Sequence, residues 1–253
     1  MNSNKAIGIF DSGIGGVTVL NEILKILPNE NYIYYSDSKH NPYGDKTENE
    51  INQICEEIVD FFIKNNCKAI VIACNTASAK SALYLRKKYN NIPFIAIEPA
   101  YKMVYDYAYD KSTLVMATKG TIESEKFNLL YHTYDNYKTI LLPCVGLADI
   151  IEEGDKEKIK KYLEIHLNPY KGKVSNVVLG CTHYPLIKNE IREILGEVTF
   201  FNGAPYLAKH LRKILEEKEL INVENKVGKI TFIDSSNNEE KEKRFFNIIN
   251  NVK

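Results

Sequence analysis

Residues Ala69–Thr76 read AIVIACNT, and residues Asn176–His183 read NVVLGCTH. Each stretch opens with β-branched and aliphatic residues and passes through a small residue to a cysteine. Each then continues into two small polar or imidazole-bearing residues ahead of a helical pattern. Apolar runs without polar alternation read as strands buried on both faces, as in a parallel sheet covered by helices. In such sheets ligands bind at the carboxyl ends of the strands. Cys74 and Cys181 are therefore both expected at a functional edge, each at the N-terminus of the helix that follows. Two such units about a hundred residues apart predict two similar lobes facing each other.

Short β-branched runs of the same kind recur at Ala6–Phe10, Tyr32–Ser36, Phe94–Ile97, Thr113–Ala117, Thr139–Leu142, Thr199–Phe201 and Lys229–Ile233. Amphipathic stretches alternate with them, which predicts an α/β fold with mostly parallel sheets. The clearest helical pattern covers Glu48–Asn65, with Thr47 and Glu50 spaced as a capping box. Others lie near Val17–Leu27, Ala77–Tyr89, Glu123–His132, Lys156–His166, Leu186–Leu195 and Tyr206–Glu219. A last helix spans Glu239–Ile249, and the charged run NNEEKEKR at its opening reads as a solvated helical face.

The bulk composition narrows the function classes. The chain has 253 residues, enough for one large or two modest domains, with 44% hydrophobic and 26% charged residues. Lys+Arg and Asp+Glu both number 33, so the formal net charge is zero, and nucleic acid loses its simplest electrostatic argument. No apolar run approaches the roughly 18–20 residues that span a bilayer. The N-terminus MNSNKAIGIF enters a strand-like segment with no signal-peptide core, so a cytoplasmic location is expected. The five cysteines, Cys55, Cys67, Cys74, Cys144 and Cys181, are odd in number and scattered, unlike a disulfide framework. No CxxC pair or clustered His/Cys set suggests zinc.

A helix N-terminus offers unpaired N–H groups and partial positive charge, both of which favour thiolate over thiol. Cys74 and Cys181 have this reason to react, whereas Cys55 and Cys67 read as inert packed thiols. A lone cysteine at a strand end is commonly a core residue; two in matched contexts point to chemistry. A phosphatase loop wants Arg where this chain has Lys80. A peptidase would use Cys181 with His183 and leave Cys74 idle. A two-thiol redox pair stays open, since it needs only sulfurs in bonding contact. Two facing thiols fit best a reaction in which one removes a proton from one face of a carbon and the other delivers one to the opposite face.

After the first strand comes Asp11-Ser12-Gly13-Ile14-Gly15-Gly16. A dinucleotide fingerprint would place a third glycine where Thr18 stands, although Asp37 could serve as its ribose-binding acid. The leading Asp-Ser is foreign to that pattern, and the loop reads instead as presenting a carboxylate and a hydroxyl to a small polar substrate.

Five segments, IGIFDSGIGGVTVL (Ile7–Leu20), NPYGDKT (Asn41–Thr47), VIACNTASA (Val71–Ala79), ATKGTIES (Ala117–Ser124) and VLGCTHYPLI (Val178–Ile187), stand in an order that resembles the bacterial glutamate racemases of the cofactor-independent aspartate/glutamate racemase family. The resemblance implies two α/β lobes related by a pseudo-twofold axis, each a mostly parallel sheet flanked by helices, with the active site in the cleft between them. The first lobe would comprise residues 1–97 plus 208–253 and hold Cys74; the second, residues 98–207, would hold Cys181. The family's chemistry interconverts L- and D-glutamate without pyridoxal phosphate, metal or other cofactor and supplies D-glutamate for peptidoglycan. By resemblance Cys74 deprotonates D-glutamate and Cys181 L-glutamate, with Asp11 assisting Cys74 and His183 assisting Cys181. Asp11, Ser12, Tyr43, Gly44, Asn75, Thr76, Thr182 and His183 match substrate contacts, and Asp37 and Glu152 match supporting acids.

The sequence departs from the family's pattern in places. The usual CPxFVPLVE-like run is here Pro143–Glu152 (PCVGLADIIE), the glycine after Glu-Pro is Ala100, Ser38 replaces a threonine, and a Thr-Thr-Gly-Asp-like stretch becomes Ile233-Asp234-Ser235-Ser236. A related two-cysteine racemase or isomerase acting on aspartate or another small acid is the alternative enzyme reading. A binding or regulatory protein on the same scaffold is the alternative from another class, which the presence of both cysteines and both assistants disfavours. The expected partner is a small-molecule substrate, with no nucleic acid and no membrane; a homodimer is one assembly this reading allows.

Overall fold

The computed structural model describes residues 2–250. Among these residues nine strands form two separate sheets, and every strand pairing is parallel. The first sheet runs in the order β4 (Phe94–Ala96), β3 (Ala69–Ile72), β1 (Ile7–Asp11), β2 (Tyr32–Ser36) and β9 (Ile230–Asp234). The second runs β6 (Thr139–Pro143), β5 (Thr113–Ala117), β7 (Asn176–Gly180) and β8 (Thr199–Phe201). The central strands β1, β3, β5 and β7 are buried along their whole length, as unalternated apolar runs require when helices cover both faces.

Helices α1 (Val17–Ile26), α10 (Ala204–Glu217) and α11 (Glu239–Asn250) cover one face of the first sheet, and α2 (Glu48–Lys64) and α3 (Asn75–Lys88) cover the other. The capping box at α2 forms as its spacing predicts, Thr47 receiving the Glu50 N–H and Glu50 returning to the Thr47 N–H. The second sheet is covered by α4 (Tyr101–Ala108) and α6 (Glu125–Tyr134) on one face. On the other lie α7 (Leu147–Glu153), α8 (Lys156–Leu167) and α9 (Lys188–Leu195). The short α5 (Lys119–Ile122) follows β5 directly. Residues 207 and 208 fall inside α10, whose Ala204, Leu207, Ala208 and Leu211 all join the core of the first sheet. All nine expected strands are present; α4, α5 and α7 are additional to the expected helices. Helix α7 lies in the divergent Pro143–Glu152 run and is set off by left-handed glycines at both ends, Gly146 (φ 78°) and Gly154 (φ 79°).

Phe245 anchors α11, its ring 4.5 Å from Phe232 and 4.6 Å from Tyr34. Truncating a buried aromatic of this kind costs about 3–5 kcal/mol. Among the described residues, no helix is long and apolar enough to cross a membrane.

Candidate active site

Asp11, Cys74, Thr118, Cys144 and Cys181 all sit at or just beyond the carboxyl ends of β1, β3, β5, β6 and β7, and most of them line one cleft between the sheets. On the first lobe, Cys74 is the N-cap of α3, its Sγ accepting the Ala77 N–H at 3.5 Å. The thiol in turn donates toward Ser12 Oγ at 3.9 Å. The helix end does not make it a thiolate. Burial drives the Cys74 pKa well above the ordinary thiol range and the nearby Asp11 charge pushes the same way, outweighing the Ala77 N–H. Burial and Asp11 thus oppose the helix activation expected of Cys74.

Asp11 is fully buried and accepts the Gly16 N–H at 2.8 Å and the Thr182 hydroxyl at 3.2 Å. It therefore reaches across to the second lobe and influences Cys74 through its charge. Burial raises its carboxyl pKa, against the opposing pull of His183 and Gly16.

The Cys181 side is built differently. The residue after β7 does not begin an α-helix: a 3-10 turn, Tyr184–Ile187, with Pro185 in its opening, intervenes before α9. The expected helix-end environment is absent there, and side chains take its place. His183 Nδ1 lies 3.7 Å from Cys181 Sγ, and His183 Nε2 lies 2.6 Å from Glu152 Oε2. Glu152 also accepts the Ile14 N–H at 3.1 Å and pairs with Lys241 Nζ at 3.0 Å. Burial pushes Glu152 up, but the hydrogen bond and charge of His183, joined by Lys241, prevail and hold its carboxyl at about 2. Burial likewise opposes a charged His183, yet its bonds to Cys181 and Glu152 raise its pKa well above the ordinary range. Both shifts favour one arrangement, a buried carboxylate–imidazolium pair behind Cys181.

The glycines of the Asp-Ser-Gly loop make room for that pair. A Cβ on Gly13 would meet the Glu152 carboxylate at 2.6 Å, and one on Gly15 the His183 ring at 2.5 Å. The loop thus serves close packing between lobes, a role the sequence pattern left ambiguous with a phosphate cradle.

The cleft encloses about 40 Å³, lined by Ser12, Tyr43, Gly44, Asn75, Thr76, Thr182 and His183 together with both thiols. Every expected substrate contact except Asp11 faces it. Asn75 presents a buried Oδ1 with no hydrogen-bond partner, an acceptor left free in the wall. Asp37 does not line the cleft; it receives the Tyr43 hydroxyl at 2.7 Å and pairs with His40 at 2.9 Å, holding the loop that carries Tyr43 and Gly44.

Further residues join the cleft that sequence reasoning did not single out. Thr118 lines the wall and, with Thr76 and Thr121, forms a triangle of hydroxyls, Thr118 Oγ1 lying 2.9 Å from each of the others. Their signal was present, two threonines three residues apart at the end of a strand in ATKGTIES. Asp149 receives the Asn41 amide at 2.9 Å across the cleft mouth, and Cys144 lies in the wall. A larger open groove of about 1040 Å³, lined by Lys46, Lys80 and Glu123 among others, touches neither thiol, so volume alone does not locate the chemistry. Among the described residues, no group of three or more His, Cys, Asp or Glu is placed to hold a metal ion.

The sequence pattern of the Asp/Glu/Hydantoin racemase family matches residues 7–211. The glutamate racemase of Clostridium perfringens is 45% identical over 237 residues, covering 92% of this chain and 91% of that protein. The chain belongs to the Asp/Glu/hydantoin racemase family. The solved glutamate racemase of Bacillus anthracis aligns with a TM-score of 0.86 and 31% identity over 98% of this chain and 95% of that one. That of Francisella tularensis, solved in complex with D-glutamate, aligns at 0.81 and 30% identity over 98% and 94%. As a racemase the protein is an isomerase with the two-lobe α/β architecture of these relatives.

Proposed function

We propose that this racemase interconverts L- and D-glutamate by a two-base reaction in which Cys74 and Cys181 act from opposite faces of the α-carbon. The observation that carries the reading is the pair of thiols lining one cleft, each with its own charged partner. Starting from L-glutamate, Cys181 as thiolate removes the α-proton, and Cys74 as thiol donates its proton to the opposite face. The reaction ends with Cys181 protonated and Cys74 as thiolate, ready for the reverse course from D-glutamate. The His183 imidazolium can hold the Cys181 thiolate through its hydrogen bond. Asp11, which disfavours negative charge on Cys74, promotes proton donation from that side.

The α-proton is weakly acidic, so charge developing on the substrate carboxylate must be stabilised. The hydroxyls of Ser12, Thr76 and Thr182 and the N–H groups at the start of α3 are the available donors. Asn75 Oδ1 is a free acceptor for an ammonium group. Tyr43 and Gly44 complete the set proposed to touch substrate, with Asp37 and Glu152 acting behind it. No step calls for a cofactor. The reading places the enzyme in the cytoplasm, supplying D-glutamate for peptidoglycan, with residues 1–97 and the C-terminal segment from α10 onward forming one lobe and the residues between forming the other.

Racemisation followed by circular dichroism with each enantiomer of glutamate and of aspartate, without added cofactor, tests this assignment. Turnover of glutamate from both enantiomers is expected. Aspartate is expected to turn over far more slowly, because its distal carboxylate is one methylene short and leaves buried donors unpaired. Comparable kcat/KM for the two acids would replace the glutamate assignment with a broader one.

A further inference from the structure

Most of the charged run at the start of α11 is solvent-exposed, as expected, but Lys241 and Arg244 turn inward. Lys241 extends from the first lobe to Glu152 on the second, its Nζ 3.0 Å from Glu152 Oε1 and 2.7 Å from Ser38 Oγ. Ser38 Oγ in turn bonds Asp234, whose carboxylate also receives Ser236, so the lysine is held by a fixed polar cluster. One turn further along α11, Arg244 donates to the carbonyls of Ile151 (2.6 Å) and Glu152, the last residues of α7 before its C-terminal end. The arginine lies over Gly154, where a Cβ would sit 3.3 Å from the guanidinium. A cation at that end also opposes the helix dipole of α7. Phe245, fully buried beside Arg244, fixes the register of the helix that carries both cations.

From this geometry we infer that Lys241 and Arg244 are positioning residues for the Cys181 half of the reaction: from the opposite lobe they hold Glu152, and through it His183, in line with the Cys181 sulfur. The chain of contacts is continuous. Lys241 meets Glu152 Oε1, Glu152 Oε2 meets His183 Nε2, and His183 Nδ1 meets Cys181 Sγ. Neither cation lines the cleft, and among the described residues no comparable cation is bonded to Asp11 behind Cys74. The two lobes therefore hold the Cys181 relay jointly, and a displacement of α11 reaches that thiol before it reaches the other.

The inference rests on the two-thiol reading, and its test carries one readout that needs no substrate. Lys241→Met is expected to lower kcat for glutamate about tenfold with KM within about twofold, as for partners in one ion-pair network. Lys241→Arg should restore most of the rate. In a Glu152→Gln background, Lys241→Met should cause no further loss, since its effect runs through that carboxylate. Independently, alkylation of Cys181 by iodoacetamide, read by peptide mass spectrometry, should slow severalfold in Lys241→Met while Cys74 is unchanged. Lys243→Met, an exposed neighbour on the same helix, should alter none of these. Wild-type kcat and Cys181 reactivity in Lys241→Met, an equal loss in the Glu152→Gln background, or failure of arginine to restore the rate would overturn the inference. If the wild-type protein leaves glutamate untouched while Cys181 alkylation still responds to Lys241, the positioning role stands and the substrate assignment falls.

Discussion

The two cysteine half-sites arise from nearly the same local sequence, strand–small residue–Cys, yet they are held by different physics. Cys74 caps an α-helix, is fully desolvated, and faces a buried carboxyl that disfavours its charge. Cys181 has no α-helix behind it and gains instead a histidine, a carboxylate and a lysine in series. One half is arranged to keep a proton and the other to stabilise the anion left when a proton departs. A reversible reaction needs both states at once, and the fold supplies them by giving like thiols unlike neighbours.

The strongest break of this comparison is removal of each sulfur. Cys74→Ser and Cys181→Ser should each reduce racemisation by about 10³-fold or more, because a serine hydroxyl is too weakly acidic to act as base or donor near neutral pH. Each variant keeps one competent thiol. With a substrate analogue bearing a good leaving group, Cys181→Ser should still eliminate HX from the D-like enantiomer, and Cys74→Ser from the L-like one. A near wild-type rate of glutamate racemisation in either variant would end the two-thiol reading.

The assistants should give the next largest effect, about 10²-fold in single-turnover measurements. His183→Ala is expected to slow the first step from L-glutamate more than from D-glutamate. Asp11→Asn, which removes the charge that favours proton donation from Cys74, should also slow the course from L-glutamate more, with a smaller span. Asp11 is bonded to Thr182, beside Cys181, and so influences both halves. Equal effects in both directions for both variants would dissolve the division of labour; the overall equilibrium constant is fixed in every case.

How much of this was legible beforehand follows from what each feature depends on. The strands, the sheet-edge placement of both cysteines and the set of cleft-lining residues from Ser12 to His183 could be read because apolar runs and the family's short motifs are local signals. The asymmetry could not. It depends on how deeply Cys74 is buried, and on a lysine in a run whose composition, NNEEKEKR, is that of any exposed helix. Charge counts do not say which cation turns inward; only the packing of Phe245 against Tyr34 and Phe232 decides that for Lys241. Glu152 was obscured for a different reason, since it lies in the last turn of α7, in a segment that departs from the family's pattern.

The Glu152–His183 pair should also mark the pH dependence of stability. A carboxyl held at about 2 when folded stabilises the protein above its unfolded value near 4.5, and that contribution disappears as pH falls toward 2. Between pH 6 and pH 3 this amounts to about 2 kcal/mol. The raised His183 has the opposite sign, contributing below its unfolded value and losing its effect as pH climbs through its folded one. Urea unfolding at pH 6 and pH 3 should therefore show Glu152→Gln losing less stability on acidification than wild type. Parallel losses would mean that Glu152 is not ionised in the folded protein.

The finest distinction is between the thiols themselves in the resting enzyme. Thiolate, not thiol, reacts with iodoacetamide. Burial pushes Cys55, Cys67 and Cys144 each up to about 12, so these three, like Cys74, should react slowly. Cys74 and Cys181 are similarly shielded, 5% and 7% exposed, so a difference in their rates cannot come from access alone. Cys74 is held toward the thiol by desolvation and by Asp11, whereas an imidazolium faces the Cys181 sulfur. Cys181 should therefore be alkylated about tenfold faster than Cys74 at pH 7, and the gap should persist at pH 9, because burial and Asp11 hold Cys74 well above the ordinary thiol range. Peptide mapping of a time course at pH 7 and pH 9 reads both sites in one sample. If Cys74 reacts first, burial and Asp11 do not govern its charge, and the helix N-terminus does.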